Sequence, residues 1–212
     1  MSLLLDLLFP RRCYGCGQIG TYFCPTCISG LPVHPPVYQS FSNFEGRLSL
    51  FKYHSFIKKS LLDLKYKFVT DVTDSIVNLT SVSINCYYPH LLNYWQQYHY
   101  CLVPIPLHQH RQNWRGFNQS ELLASKLAKS LSLDCQIDIL YRQTNTKPQA
   151  KLKLKSDRFI NISSAFALNQ TASLPQNIII FDDVATTTAT LNSALSVLPP
   201  SYYHRAWALT IA

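Results

Sequence analysis

The chain reads as an α/β protein, a parallel sheet flanked by helices with a small cysteine-rich unit in front of it. Three observations lead there. In residues 177–191, NIIIFDDVATTTATL, Ile178, Ile179, Ile180 and Phe181 form an unbroken, mostly β-branched apolar run that suits a strand covered on both faces. Residues 101–106, CLVPIP, open with a second such run, and each run leads through a polar segment into a helical pattern, as in a parallel sheet. Near the start, Cys13, Cys16, Cys24 and Cys27 make two CxxC pairs with seven residues between them.

Composition bounds the possibilities. At 212 residues the chain holds one sizeable core and a small appendage, but not two full α/β domains. A hydrophobic fraction of 47% with 14% charged residues excludes a disordered chain. The formal charge of +8 is concentrated, with ten basic residues against four acids between positions 111 and 158. A polyanion is the natural partner for such an excess, and generic solubility charge the plainer account. Seven cysteines without a secretory signal point to a reducing compartment and a metal site. The opening MSLLLDLLFP is too short for a signal peptide and carries Arg11 and Arg12 on the wrong side; no stretch approaches the ~18 apolar residues of a membrane span. The expectation is a cytoplasmic protein with no membrane span.

In chain order, Ser2 caps a short leucine-rich helix ended by Pro10. The four cysteines close a tetrahedron around zinc, and Gly15 and Gly17 suit the tight turns. With every position filled by thiolate, the zinc role is structural. LPVHPP, residues 31–36, is a stiff linker, so the predicted units are 1–36 and 37–212. His34 reads as an exposed linker residue. Residues 47–53, RLSLFKY, alternate as a half-exposed edge strand. A helix from Ser55 turns Ile57, Leu61, Leu62 and Leu64 inward and Lys58, Lys59, Lys65 and Lys67 mostly outward. Residues 71–82 and 89–98 predict two further helices, whose tyrosines either pack in the core or stack on bases.

After the strand at 101–103 come His108, His110, Arg111, Trp114, Arg115, Gly116, Phe117, Asn118 and Gln119, a basic loop ahead of a helix that Asn118 caps. Gly116 is the one glycine there that lets backbone approach a ligand. Leu122, Leu123, Leu127 and Leu131 stripe the helix. A strand around 136–140 leads into residues 141–168, where Lys147, Lys151, Lys153, Lys155 and Arg158 make the densest basic run, either a loop over the active face or a solvated one. A helix to Leu198 and a strand at 204–211 close the chain. Cys86, Cys101 and Cys135 read as packing residues.

The loop after the run at 178–181 concentrates polar groups: Asp182, Asp183, Ala185, Thr186, Thr187, Thr188, Ala189 and Thr190. Ligands of open α/β sheets bind beyond the carboxyl ends of the strands. Hydroxyls and amides there suit a phosphate, and the paired acids suit two sugar hydroxyls, together a ribose 5-phosphate cradle. That purpose requires an open turn whose acids are not locked to lysines. A strand ending in solvated aspartates with a threonine cap is the alternative. A Walker B strand is excluded, because GxxxxGK[ST] is absent and no glycine follows Gly116.

FDDVATTTATL resembles the phosphoribosyl pyrophosphate loop of type I phosphoribosyltransferases. VPIPLHQHRQNWRGFNQSELLA, residues 103–124, resembles the signature of the ComF/GntX group of competence proteins within that superfamily. The resemblance extends to the cysteine unit, to Phe51, Tyr53, Leu64, Lys65 and Tyr66, and to Arg142, Thr144, Gln149, Ala150, Leu152, Arg158, Asn161, Ala165 and Phe166. It implies a phosphoribosyltransferase-like sheet, a structural zinc, and single-stranded DNA handling during natural transformation, with a ComF-locus helicase and other competence proteins as partners. In those terms Arg111, Arg115, Gly116, Asn118, Gln119, Lys151, Lys153, Lys155 and Arg158 meet a diphosphate or DNA. The alternative is an active transferase using phosphoribosyl pyrophosphate with Mg²⁺. Thr188 stands where the group carries glycine; a β-branched residue forced to positive φ costs about 1–3 kcal/mol.

Overall fold

A computed structural model describes residues 10–38, 43–67, 69–143, 165–185 and 188–212. The predicted helix before Pro10 and the basic run from Lys147 to Arg158 lie outside the described residues.

Six strands build the main sheet in the order β1-β2-β8-β7-β3-β4. They are β1 (Val37–Tyr38), β2 (Gly46–Ser49), β3 (Tyr100–Pro104), β4 (Asp134–Cys135), β7 (Asn177–Asp182) and β8 (Trp207–Thr210). Only β1 runs antiparallel to its neighbour; the other pairings are parallel. A separate antiparallel pair joins β5 (Leu140–Arg142) to β6 (Phe166–Leu168). The apolar run at 178–181 sits in β7, paired on both sides by β3 and β8, and every residue from Asn177 to Phe181 is buried. Residues 47–53 give the strand β2, but one place in from the edge, because the two-residue β1 covers it.

The side-chain alternation of β7 divides the interior. Ile179 and Phe181 face one apolar cluster with Leu102, Trp207 and Leu209, whereas Ile178 and Ile180 face another with Val103, Ala208 and Leu195. Helices α2 (Ser55–Tyr66), α3 (Val72–Tyr87), α4 (Pro89–Gln97) and α6 (Gln119–Leu131) cover the first face. Helix α7 (Ala189–Leu195) and the β5–β6 pair cover the second. This is an α/β fold with a mostly parallel mixed sheet between two layers.

Helix α3 runs five residues beyond the predicted 82, continuing through Ser83 and Ile84, both buried. In α2 the inward residues are Phe56, Ile57, Ser60, Leu61 and Leu64; Leu62 is only half-buried. Leu123, Leu127 and Leu131 are buried along α6 with Ala124 and Ala128, while Leu122 is half-buried. The basic loop after β3 contains an unpredicted helix, α5 (Gln109–Arg115), started by His108 Nδ1 accepting from His110 N at 3.2 Å. Cys101 is buried and Cys135 half-buried, but Cys86 is exposed and so is not a packing residue.

The cysteine unit carries a short helix α1 (Pro25–Ser29) and rests on the main core. Phe23 lies in the larger cluster, its ring 5.8 Å from that of Phe56. Tyr22 Oη donates to Asp71 Oδ2 at 3.0 Å. No described helix is long and apolar enough to cross a membrane.

Candidate functional site

At the carboxyl ends of adjacent β3 and β7 the chain departs in opposite directions. From β3 it passes through α5 and α6 to β4, and from β7 through α7 to β8 on the other side. Such a reversal leaves a crevice outside the strand ends. The two loops singled out in the sequence are therefore neighbours. Ile105 N donates to Phe181 O at 2.8 Å, extending the pairing past the end of β3 and tying the roots of both loops together.

The two acids have different fates. Asp182, the last residue of β7, is half-buried, and its Oδ1 accepts from Ser120 Oγ on α6 and from Asp183 N, both at 2.9 Å. Burial, then the charge of Asp183, pushes its carboxyl up to about 7, against the opposing pull of Lys65 and Ser120. Asp183 turns inward, 2% exposed, and forms an ion pair with Lys65 Nζ. Burial draws the Lys65 ammonium down, but the charges of Asp183 and Asp182 outweigh it and hold the group above its ordinary value. Helical periodicity placed Lys65 on an outward basic face; the last turn of α2 instead presses it against the β7 loop. Asp183 is thus occupied by a lysine and is not an open acceptor for a sugar hydroxyl in this structure.

Three arginines lie within electrostatic reach of one another nearby, and one of them, Arg142, reaches Asp182. Arg115 Nη1 donates to Gln119 Oε1 at 2.8 Å, and its guanidinium lies 5.1 Å from the centre of the Tyr66 ring. Burial, then the charge of Arg115, lowers Arg111. Burial, then the charge of Arg111, lowers Arg142 on β5, while Asp182 works the other way. Arg142 also lies over Phe166, 5.1 Å from its centre. Arg111 thus lies between Arg115 and Arg142 electrostatically, and Arg142 in turn feels Asp182. Arg142 was not a candidate site residue; its only sequence signal was the RxT it opens, and the turn from β5 that brings it here is long-range.

Several predicted ligand contacts also have structural partners. Asn118 is 6% exposed: its Oδ1 accepts from Ser120 N at 3.1 Å, capping α6, and its Nδ2 donates to Ile105 O at 3.2 Å. Gln119, 5% exposed, orients Arg115. Gly116 has a positive φ of 77° and ends α5 as a left-handed cap.

Beyond Asp183, Ala185 N donates to Ala212 O at 2.9 Å, which anchors the loop to the end of the chain. Thr188 precedes α7 with φ −71° and ψ −4°, ordinary right-handed backbone, so the expected strain is absent. Ala189 and Thr190 open α7. Thr188 shares a crevice of about 100 Å³ with Arg47, Ser49 and Thr210. Arg47 had been assigned only to a strand. Thr186, Thr187, Lys151, Lys153, Lys155 and Arg158 lie outside the described residues.

Cys13, Cys16, Cys24 and Cys27 come together with all four Sγ atoms within 4.8 Å of one another, and Cys16 and Cys24 Sγ are 3.6 Å apart. A tetrahedron with Zn–S of about 2.3 Å has edges of ~3.8 Å, so the set fits that ion. A Cβ on Gly15 would lie 2.6 Å from Cys27 Sγ. Burial opposes the Cys13 thiolate, but the backbone N–H groups of Cys16, Cys24 and Gly15 overcome it and bring the thiol down to about 6. His34 is exposed and outside this set.

No family model matches the chain. Competence protein ComFC of Bacillus subtilis (strain 168) is 30% identical over 210 residues, which is 92% of this chain and 81% of that protein. Competence protein F of Haemophilus influenzae is 35% identical over 99 residues, 46% of this chain and 43% of that protein. DNA utilization protein YhgH of Escherichia coli O157:H7 is 33% identical over 100 residues, 46% of this chain and 42% of that protein.

Proposed function

The chain belongs to the ComF family of competence proteins, and on that premise we propose that it handles single-stranded DNA during uptake in natural transformation. The observation that carries the reading is the electrostatic neighbourhood that Arg111 shares with Arg115 and with Arg142, the last also reaching Asp182 at the point where the sheet reverses. Clustered guanidinium groups at a strand-end crevice suit phosphate, whether a backbone phosphate or that of a ribose phosphate. The names of the relatives, competence and DNA utilization, support DNA as its source. The sheet serves as a phosphoribosyltransferase-like scaffold, the N-terminal unit as a knuckle held by structural zinc, and the rim includes Lys151, Lys153, Lys155 and Arg158. The protein works in the cytoplasm beside a helicase of the same locus.

An active transferase is the second reading, favoured by one feature: Thr188 takes the loop in ordinary right-handed backbone, so the residue costs the loop no strain. Mg²⁺ would then arrive with the diphosphate. Against it stands the Lys65–Asp183 pair, which a ribose would have to open.

Fluorescence anisotropy of a labelled single-stranded oligonucleotide against salt tests the proposal. Each phosphate contact adds about −0.7 to the slope of log K on log salt, so Arg142→Gln should flatten the slope by roughly that much. A wild-type protein that binds no oligonucleotide, or binds it independently of salt, overturns the DNA reading. Heat on adding phosphoribosyl pyrophosphate with Mg²⁺, in the absence of strand binding, selects the second reading.

A further inference from the structure

A cavity of about 600 Å³ opens at the other end of the sheet, where β3 and β7 begin. Its volume suits a small organic group. Glu45, Tyr94, Tyr98, Tyr100, Asn177 and Arg205 form much of its wall. The floor is a closed network: Glu45 accepts from Tyr94 Oη at 2.8 Å and from Tyr100 Oη at 2.7 Å, and Asn177 Nδ2 donates to Tyr98 O at 2.7 Å. Each Glu45 oxygen therefore already takes a phenol, which leaves little to attract a cation.

The rim is different. Tyr98 is 50% exposed, with its ring 4.9 Å from that of Tyr94 behind it, and so presents a supported aromatic surface. Gln97, Gln176, His99 and His204 are exposed around it, and none of their side chains makes a hydrogen bond among the described residues. His99 and His204 hold left-handed backbone, with φ of 50° and 60°. A supported ring, two side-chain amides and a neutral balance of charge describe a planar, hydrogen-bonding heteroaromatic group.

We propose that this cavity takes an unpaired nucleobase, stacked on Tyr98 and held at its edge by the amides of Gln97 and Gln176. The base comes either from a free nucleoside or from a strand, and the second source rests on the DNA reading above.

The fluorescence of 2-aminopurine, quenched on stacking, distinguishes the sources. Wild-type protein is titrated into 2-aminopurine riboside and, separately, into a single-stranded oligonucleotide carrying one 2-aminopurine, with strand binding followed independently by anisotropy. Quenching of either probe, weakened roughly 5- to 150-fold by Tyr98→Ala, is the expected result. Should Tyr98→Ala fail to fold, the exposed double variant Gln97→Ala/Gln176→Ala serves instead and should also weaken quenching. No quenching of either probe, or quenching undiminished in the variant, overturns the proposal. A strand that binds without quenching, with the riboside unquenched too, sinks the pocket and leaves the DNA reading standing. Riboside quenched with no strand bound does the reverse.

Discussion

Asp182 holds its proton more tightly in the folded chain than a free carboxyl does, since burial and Asp183 raise it to about 7. Between the unfolded value of about 4 and the folded one, the native state binds more protons, so stability falls as pH rises through that window. Above pH 7 the charged form is buried at full cost. Asn at this position keeps an Oδ1 for Ser120 Oγ and Asp183 N while removing the charge. Asp182→Asn should therefore raise the melting temperature at pH 8 by a few degrees, at about 2–4 °C per kcal/mol, with the gain vanishing near pH 4. Scanning calorimetry at the two pH values checks this, and an equal gain at both would refute the buried-charge account. The acids themselves were legible in the sequence because polar groups concentrate after an apolar strand. The lysine that occupies Asp183 was not, because periodicity assigns Lys65 a side of α2 but does not say which loop that helix end meets.

Among the elements, β7 and its neighbours were the easiest to read: an apolar run of that length is stable only between two covered faces, and the structure pairs it with β3 and β8. Helix α5 was hidden, since six polar residues and one tryptophan offer no periodic signal and its ends depend on His108 and Gly116. Strand β2 shows a third case, in which the packing partner comes from far along the chain. Gly46 lies in register with Trp207, and a Cβ there would come 2.4 Å from the indole ring. That ring has no room to yield: it is fully buried, edge-on to Trp95 at 5.5 Å and to Tyr38 at 5.4 Å. Gly46→Ala should then destabilise by about 1–3 kcal/mol, the usual cost of overpacking. A denaturant midpoint unchanged from wild type would mean that β2 shifts freely, contrary to its place between β1 and β8.

The whole molecule ties the cysteine unit to the strand-end site through one helix. Phe23 enters the main cluster against Phe56 at the start of α2, and Tyr22 reaches Asp71 just before α3. Nine residues along α2 from Phe56, Lys65 meets Asp183. Paired CxxC motifs made the cluster of four cysteines readable from spacing alone, whereas this docking was invisible, because nothing local marks which aromatic leaves the unit. Structural zinc supplies folding free energy to the turns that hold its ligands. Stripping the metal should therefore free Phe23 and Tyr22, loosen the first turns of α2 and unsettle the Lys65–Asp183 pair at its far end. The expected outcome is a melting temperature lowered by several degrees in a strong zinc chelator, with weaker oligonucleotide binding at fixed salt, both restored by added zinc. Cys16→Ser, at the exposed cysteine of the cluster, should reproduce the loss without chelator. If the stripped protein melts as before but binds more weakly, the knuckle touches DNA directly; if it neither melts earlier nor binds less, α2 transmits nothing and the two sites are independent.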